Sequence, residues 1–278
     1  MKMCGYAYYN GNGGRRDSIR IPLDDRSIFF GDAVYDMMIG ANGKIYQAEE
    51  HFERLLKSAG AIGLDHGFTV DKLISIAEEC IKKSELQVYS VYVQLSRSSE
   101  GRVHSALGCV GANILICIEA AELPRKLCEV KLCTSEDKRY RLCNIKTVNL
   151  LPAVLYSTDA ERCGYDETIL HRDGYVTECA HSNVFIMHRG ILYTHPLSEL
   201  ILPGITRRHL ILSAKMLGIR VIEEPFSLPE LYSADEVLIT STTKLIRVAT
   251  EVDGISYKSE DREICSALFC ELLRDMLP

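Results

Sequence analysis

The chain has 278 residues, 47% hydrophobic and 25% charged, with a net charge of −6 and a pI near 5.8. That length calls for one large or two medium domains, and two are predicted, over residues 1–120 and 121–278. The acidic balance argues against a nucleic-acid partner, no apolar run is long enough to cross a bilayer, and a small-molecule substrate is expected. Met1-Lys2-Met3-Cys4-Gly5-Tyr6 lacks the apolar core of a secretory signal, so a cytoplasmic protein is expected. Eleven cysteines, scattered from Cys4 to Cys270 without a two-residue spacing, fit reduced structural thiols and no metal site.

Along the chain, Gly11-Asn12-Gly13-Gly14 has no strand-then-helix context and reads as a turn rather than a phosphate loop. Asn42-Gly43, Asp173-Gly174 and Asp253-Gly254 each predict a tight hairpin, because these pairs accept the positive backbone angles of primed turns. Apolar spacing predicts helices over Glu49–Ile62, with Phe52, Leu55, Leu56 and Ala59 on one stripe, and Val70–Lys83, with Leu73, Ile74, Ala77 and Ile81. Val88–Ser96 and Asn113–Ala120 read as buried strands joined by the polar loop Ser98–Ser105, and Glu119–Lys126 reads as the interdomain linker.

Beyond it, strands are predicted at Val130–Thr134, Thr168–His171, Val176–Met187, Ile191–Thr194, Arg220–Glu223 and Glu236–Thr240. Helices are predicted at Pro152–Cys163 and Ile205–Leu217. Strands and helices mix without strict alternation, which indicates an α+β, mixed-sheet fold rather than a doubly wound one.

Lys146, in Asn144-Ile145-Lys146-Thr147-Val148-Asn149-Leu150-Leu151, is an amine among apolar neighbours. A desolvated lysine loses its proton readily and attacks aldehydes, although an isolated lysine is ordinarily a wet strand residue. A lysine-bound pyridoxal phosphate also needs an acid at the ring nitrogen, a phosphate cradle and a group that orients the substrate carboxylate. Glu178 offers the acid at a strand end. Leu202-Pro203-Gly204-Ile205-Thr206-Arg207 opens a helix whose first amides favour an anion, Ser241-Thr242-Thr243 supplies hydroxyls, and Arg54 adds a cation. Arg102 and His104, two apart, can project from one face toward a carboxylate. Each of these has a bland alternative as ordinary helix, strand-end or loop punctuation.

From Phe29-Phe30-Gly31-Asp32-Ala33-Val34-Tyr35-Asp36 through His51-Phe52-Glu53-Arg54-Leu55, the Lys146 segment, Thr177-Glu178, Ser182-Asn183-Val184-Phe185 and Gly190–Pro196 to Asp253-Gly254, the chain resembles the class IV (fold type IV) pyridoxal-phosphate aminotransferases. Within them it looks most like the D-amino acid aminotransferases. The resemblance implies a two-domain fold with the cofactor between the domains and its lysine in the larger C-terminal one. It implies that Lys146 holds the cofactor covalently and shuttles the substrate proton, and that Glu178 meets the pyridine nitrogen. Arg54, Gly204, Ile205, Thr206, Ser241 and Thr242 would hold the phosphate, Arg139 would lie near it, and Leu202 would lie against the ring.

Tyr35, Arg102 and His104 match the carboxylate trap of the D-specific members, in which the neighbouring subunit supplies the loop pair, so a homodimer is implied. The implied reaction is transamination between a D-amino acid such as D-alanine or D-glutamate and a 2-oxo acid such as 2-oxoglutarate or pyruvate. Alternatives are an L-branched-chain aminotransferase, an aminodeoxychorismate lyase on the same fold, or a cofactor-free binding module. Cys179-Ala180-His181 and Met37-Met38 depart from the D-specific pattern beside the site.

Overall fold

The computed structural model describes residues 5–98, 101–257 and 262–276. Residues 1–4 of the expected amino terminus, and Ser99 and Glu100 of the polar loop, lie outside the described residues. The chain forms two compact units.

The first unit comprises Met1–Leu123 and Ile145–Asn149. Its elements are β1 (Tyr6–Tyr9), β2 (Asn12–Arg15), α1 (Arg26–Phe30), β3 (Ala33–Ala41), β4 (Lys44–Ile45), α2 (Ala48–Ala61), α3 (Val70–Ser84), β5 (Val88–Arg97) and β6 (Ala112–Ala120). The strands form one six-stranded sheet in the order β2-β1-β6-β5-β3-β4, antiparallel throughout. The predicted helical stripes bury Phe52, Leu55, Ala59, Leu73, Ala77 and Ile81 against Met38, Val91, Val93, Ile116 and Ile118 of the sheet. Burial of each large apolar side chain is worth roughly 1.5–3 kcal/mol, which makes this interface the main source of the unit's stability.

Asn42 and Gly43 take φ of 52° and 81°, the primed turn expected of that pair. Asn10 and Gly11 (44° and 92°) make the same turn between β1 and β2. The predicted Gly11–Gly14 turn is therefore displaced: Asn12, Gly13 and Gly14 are paired in a strand, and the turn residue is the asparagine before them.

The second unit comprises Pro124–Asn144 and Leu150–Pro278. It contains β7 (Cys128–Glu136), α4 (Leu151–Arg162), β8 (Glu167–Arg172), β9 (Tyr175–Cys179), β10 (Asn183–His188), β11 (Ile191–Thr194), α5 (Ile205–Met216), β12 (Val221–Glu223) and α6 (Leu228–Tyr232). β13 (Glu236–Ser241), β14 (Leu245–Val252), β15 (Ile255–Ser256) and α7 (Glu263–Met276) complete it. The sheet order is β12-β11-β10-β13-β14-β7-β8-β9, with β15 on β14. Pairs β11/β12, β7/β14 and β7/β8 are parallel and the rest antiparallel, the mixed sheet expected. Its core includes Leu132, Ile169, Val176, Val184, Phe226, Val237 and Ile239.

Two expectations are corrected here. The predicted strand Val176–Met187 is two strands, broken at residues 180–182 where Cys179 N–H donates to Ser182 O at 2.7 Å. No glycine or proline marks that turn, whose residues are Ala180, His181 and Ser182. Second, the resemblance implies that Lys146 belongs to the C-terminal domain, yet Ile145–Asn149 groups with the N-terminal unit. The reason is backbone pairing with β3, which proximity in sequence to β7 and α4 does not reveal.

Candidate active site

The Lys146 segment runs antiparallel beside the start of β3. Tyr35 N–H donates to Lys146 O (2.9 Å), Val148 N–H donates to Ala33 O (3.1 Å), and Val34 bridges Thr147. On the other side Lys146 N–H donates to Ser58 Oγ of α2 at 3.3 Å. The backbone is thus pinned by strand and helix while the side chain stays half-buried, with Nζ 4.5 Å from the centre of the Tyr35 ring. Tyr35 in turn stacks on Tyr92 at 5.4 Å, and Tyr92 donates its hydroxyl to Gln94 Oε1 at 2.7 Å.

Arg54 lies one turn before Ser58, so the same helix face carries both the lysine's anchor and a guanidinium. Asp36 of β3, fully buried, accepts from Arg54 Nε and Nη2 at 2.8 and 2.7 Å, and His51 Nδ1 is 2.8 Å from the same carboxylate. Against the cost of burial, Arg54 and His51 hold the Asp36 carboxyl well below the usual carboxylate range. Burial pushes His51 down; Asp36 opposes this, and Arg54 and Lys146 add to it. Asp36 fixes the direction of a planar donor fork suited to phosphate. Sequence reasoning did not single out Asp36, because its partner is 18 residues away.

In the same unit, the loop bearing Arg102 and His104 folds over α1. The Arg102 guanidinium lies 5.4 Å from the centre of the Phe30 ring, His104 meets that ring edge-on at 5.3 Å, and Arg26 sits over it at 4.4 Å. Arg26, buried and paired with Asp32 at 2.7 Å, donates to the carbonyls of Val103 and His104. The loop is therefore held by its backbone while both side chains remain exposed. Among the described residues, no hydrogen bond or ring contact joins Arg102 or His104 to Tyr35 of the same chain.

In the second unit Glu178 closes β9 and is buried. Arg139 Nη1 donates to its Oε1 at 2.7 Å, and Asn183 Nδ2 and Leu202 N–H each donate to its Oε2 at 3.0 Å. Burial pushes Glu178 up to about 7, with Arg139 and the Leu202 amide pulling the other way. Arg139 is itself clamped: its Nε and Nη2 donate to Asp137 at 2.9 Å, and Arg172 spans Asp137 Oδ2 (3.1 Å) and Arg139 O (2.6 Å). Arg139 thus serves Glu178 directly, a placement its sequence position did not specify.

Asn183 is the joint of this cluster. Besides Glu178 it donates to Leu202 O at 2.9 Å, and it pairs in the sheet with Thr240, the residue before Ser241. A Cβ on Gly204 would collide with the Asn183 side-chain oxygen, so only glycine fits the entry to α5. α5 begins at Ile205 with no side-chain cap, and it packs on β13, which ends at Ser241 and turns into β14 through Thr242. Uncapped first-turn amides and the helix dipole favour an anion there, at roughly 0.3–1 kcal/mol per charge.

The first unit therefore presents a lysine and a braced arginine, and the second, by itself, a buried carboxylate beside a helix start and hydroxyls. Residues 33–252 match the family model for amino-transferase class IV. The chain is a class IV aminotransferase. It is 36% identical to a D-alanine aminotransferase of Staphylococcus epidermidis over 250 residues, 89% of either chain. It also resembles solved structures of a branched-chain aminotransferase from Thermoproteus uzoniensis (TM-score 0.88, 24% identity, 97% of this chain and 94% of that one) and a putative 4-amino-4-deoxychorismate lyase from Legionella pneumophila (TM-score 0.84, 26% identity, 94% and 97%). Enzymes of this class depend on pyridoxal phosphate, and the residues present fit that cofactor: a braced guanidinium, an anion-ready helix start opened by a glycine, and a buried carboxylate. No helix among the described residues is long and apolar enough to cross a membrane.

Proposed function

We propose that this aminotransferase moves the amino group of a D-amino acid, such as D-alanine or D-glutamate, to a 2-oxo acid such as 2-oxoglutarate or pyruvate. When bound, pyridoxal phosphate carries the amino group and withdraws electrons from the substrate α-carbon. Lys146 would anchor the cofactor and move the proton at that carbon. Glu178, held by Arg139, would accept from the ring nitrogen in its ionised form. Arg54, Ile205, Thr206, Ser241 and Thr242 would hold the phosphate, Gly204 would admit it, and Leu202 would lie against the ring.

The observation that carries the D-amino acid reading is the Arg102–His104 loop, fastened by Arg26 so that two cationic or hydrogen-bonding side chains project from one exposed stretch. These groups, supplied by a second copy of the chain, would meet the substrate carboxylate together with Tyr35. A homodimer also agrees with the apolar exposure of the segment that follows, where Leu107 is 95% and Val110 80% exposed. The ten described cysteines are all free, in keeping with the reducing cytoplasm.

Incubation with D-alanine, and separately L-leucine, each with 2-oxoglutarate, decides the reading. Turnover of D-alanine is expected; turnover of L-leucine alone would assign a branched-chain aminotransferase, and an amino-acid product independent of any added 2-oxo acid would assign the lyase. Arg102→Ala is expected to raise the KM for D-alanine by roughly tenfold to hundredfold, the effect of one lost charged hydrogen bond, with little change in kcat. An unchanged KM removes Arg102 from the site.

A further inference from the structure

From Val176 to Met187 every side chain is buried except one, His181, whose side chain is 52% exposed. It stands on the turn between β9 and β10, between Glu178 and its hydrogen-bond partner Asn183 in sequence. The turn is rigid: Cys179 N–H donates to Ser182 O at 2.7 Å and Ala180 N–H to Thr168 O at 2.9 Å.

The imidazole has an unusual support. Glu167, fully buried, lies with Oε1 3.1 Å from His181 Nδ1 and accepts from His181 N–H at 3.0 Å through the same oxygen. Its Oε2 accepts from Ser182 Oγ at 3.0 Å and from Arg247 Nη2 at 2.6 Å. A carboxylate only accepts, so Nδ1 carries the hydrogen and Nε2 is the atom left for a ligand. Arg247 answers the charge of Glu167, and Arg139 answers that of Glu178, so no uncompensated negative charge on this turn repels an anion. A surface histidine needs no buried carboxylate fixed by three other donors; one that must hold a set direction does.

We propose that His181 is a specificity-determining residue whose Nε2 receives the distal carboxylate of dicarboxylic substrates, D-glutamate and 2-oxoglutarate. A ligand carboxylate at Nε2 completes a carboxylate–imidazolium–carboxylate line, in which the imidazolium donates to Glu167 from Nδ1 and to the ligand from Nε2. The inference rests on the proposed role of Glu178, three residues before His181: with the cofactor held at Glu178, a dicarboxylic substrate on it would lie within reach of this turn.

The test compares the holoenzyme with His181→Ser and His181→Gln, using D-glutamate and D-alanine as donors in single half-reactions. His181→Ser should lower kcat/KM for D-glutamate roughly tenfold to hundredfold, the range of one charge-assisted hydrogen bond, and leave D-alanine within about twofold. His181→Gln, which keeps a donor, should recover part of the loss. Calorimetric binding of glutarate and butyrate supplies a second readout: wild type should prefer glutarate at least about tenfold, and His181→Ser should lose that preference. Equal losses for both donors, or no loss for either, would overturn the role of His181. Failure of wild type to process any D-amino acid would instead overturn the proposed reaction, and the glutarate preference would still decide the residue.

Discussion

Replacing Lys146 by alanine is expected to lower kcat/KM by at least about 10⁴-fold while changing the unfolding free energy by less than about 1 kcal/mol. The two effects separate because of how the segment is held. Its backbone makes the bonds to Tyr35 and Ser58, and alanine keeps both. The side chain contributes a contact between Nζ and the Tyr35 ring at 4.5 Å, a cation–π interaction worth roughly 0.5–1 kcal/mol at a partly exposed position. The chemistry, in contrast, loses both its proton carrier, worth roughly 10²–10⁴-fold by itself, and its covalent anchor. Borohydride treatment of the wild type with cofactor should leave a pyridoxyl mass on the peptide containing Lys146, and the variant should show none. A variant that keeps a tenth of wild-type turnover, or a wild type labelled on a different lysine, would end this assignment.

Much of the scaffold was legible in the sequence because it rests on local rules. The stripes of α2 and α3 follow from apolar spacing, and the Asn42-Gly43, Asp173-Gly174 and Asp253-Gly254 hairpins follow from residues tolerant of positive φ. The Arg189-Gly190 hairpin obeys the same geometry (φ of 50° and 75°) but has arginine where asparagine or aspartate is the usual signal, so it was missed. In the site, the lysine, acid and arginine were legible as residue types, whereas their supports were not. Asp36 under Arg54, Asp137 under Arg139 and Arg26 under the Arg102–His104 loop are charged residues recruited across the fold or from a neighbouring turn. Nothing in their own neighbourhoods distinguishes them from solvated charges. Asn183 was visible within a matching stretch, yet its function as the joint of Glu178, Leu202 and Gly204 depends on the curl that brings β9 back to β10.

The brace on Glu178 makes Arg139→Leu the other substitution with a large expected effect: a loss of about 3–5 kcal/mol in stability, typical of a buried ion pair that loses one partner. It is also expected to raise the pH at which the apoprotein captures pyridoxal phosphate. Burial already lifts Glu178 from 4.5 to about 7, and Arg139 is the main group opposing that rise. Without the guanidinium the neutral acid persists to higher pH. A carboxyl must be ionised to accept from the ring nitrogen, so wild-type capture should strengthen as pH rises through about 7, and the variant's transition should lie higher by at least about one unit, or 1.4 kcal/mol.

The sign for stability is fixed in the same way. A carboxyl raised in the folded state contributes stability that is complete below its unfolded value of 4.5 and is lost as pH climbs through the folded one, about 7 in the wild type. The variant's deficit should therefore be smallest in acid, where Glu178 is neutral in both proteins, and should grow toward and beyond pH 7. Asp137 acts in the same direction: despite burial, Arg139 and Arg172 hold it below its ordinary value, so weakening that hold costs stability above it. The double variant Arg139→Leu with Glu178→Leu should recover part of the lost stability without recovering cofactor capture, since an apolar pair can replace a buried ion pair but cannot accept from the ring. Cofactor titrations followed by fluorescence, beside denaturant unfolding at several pH values, measure both effects. A capture midpoint that stays in place in Arg139→Leu would show that another group governs Glu178.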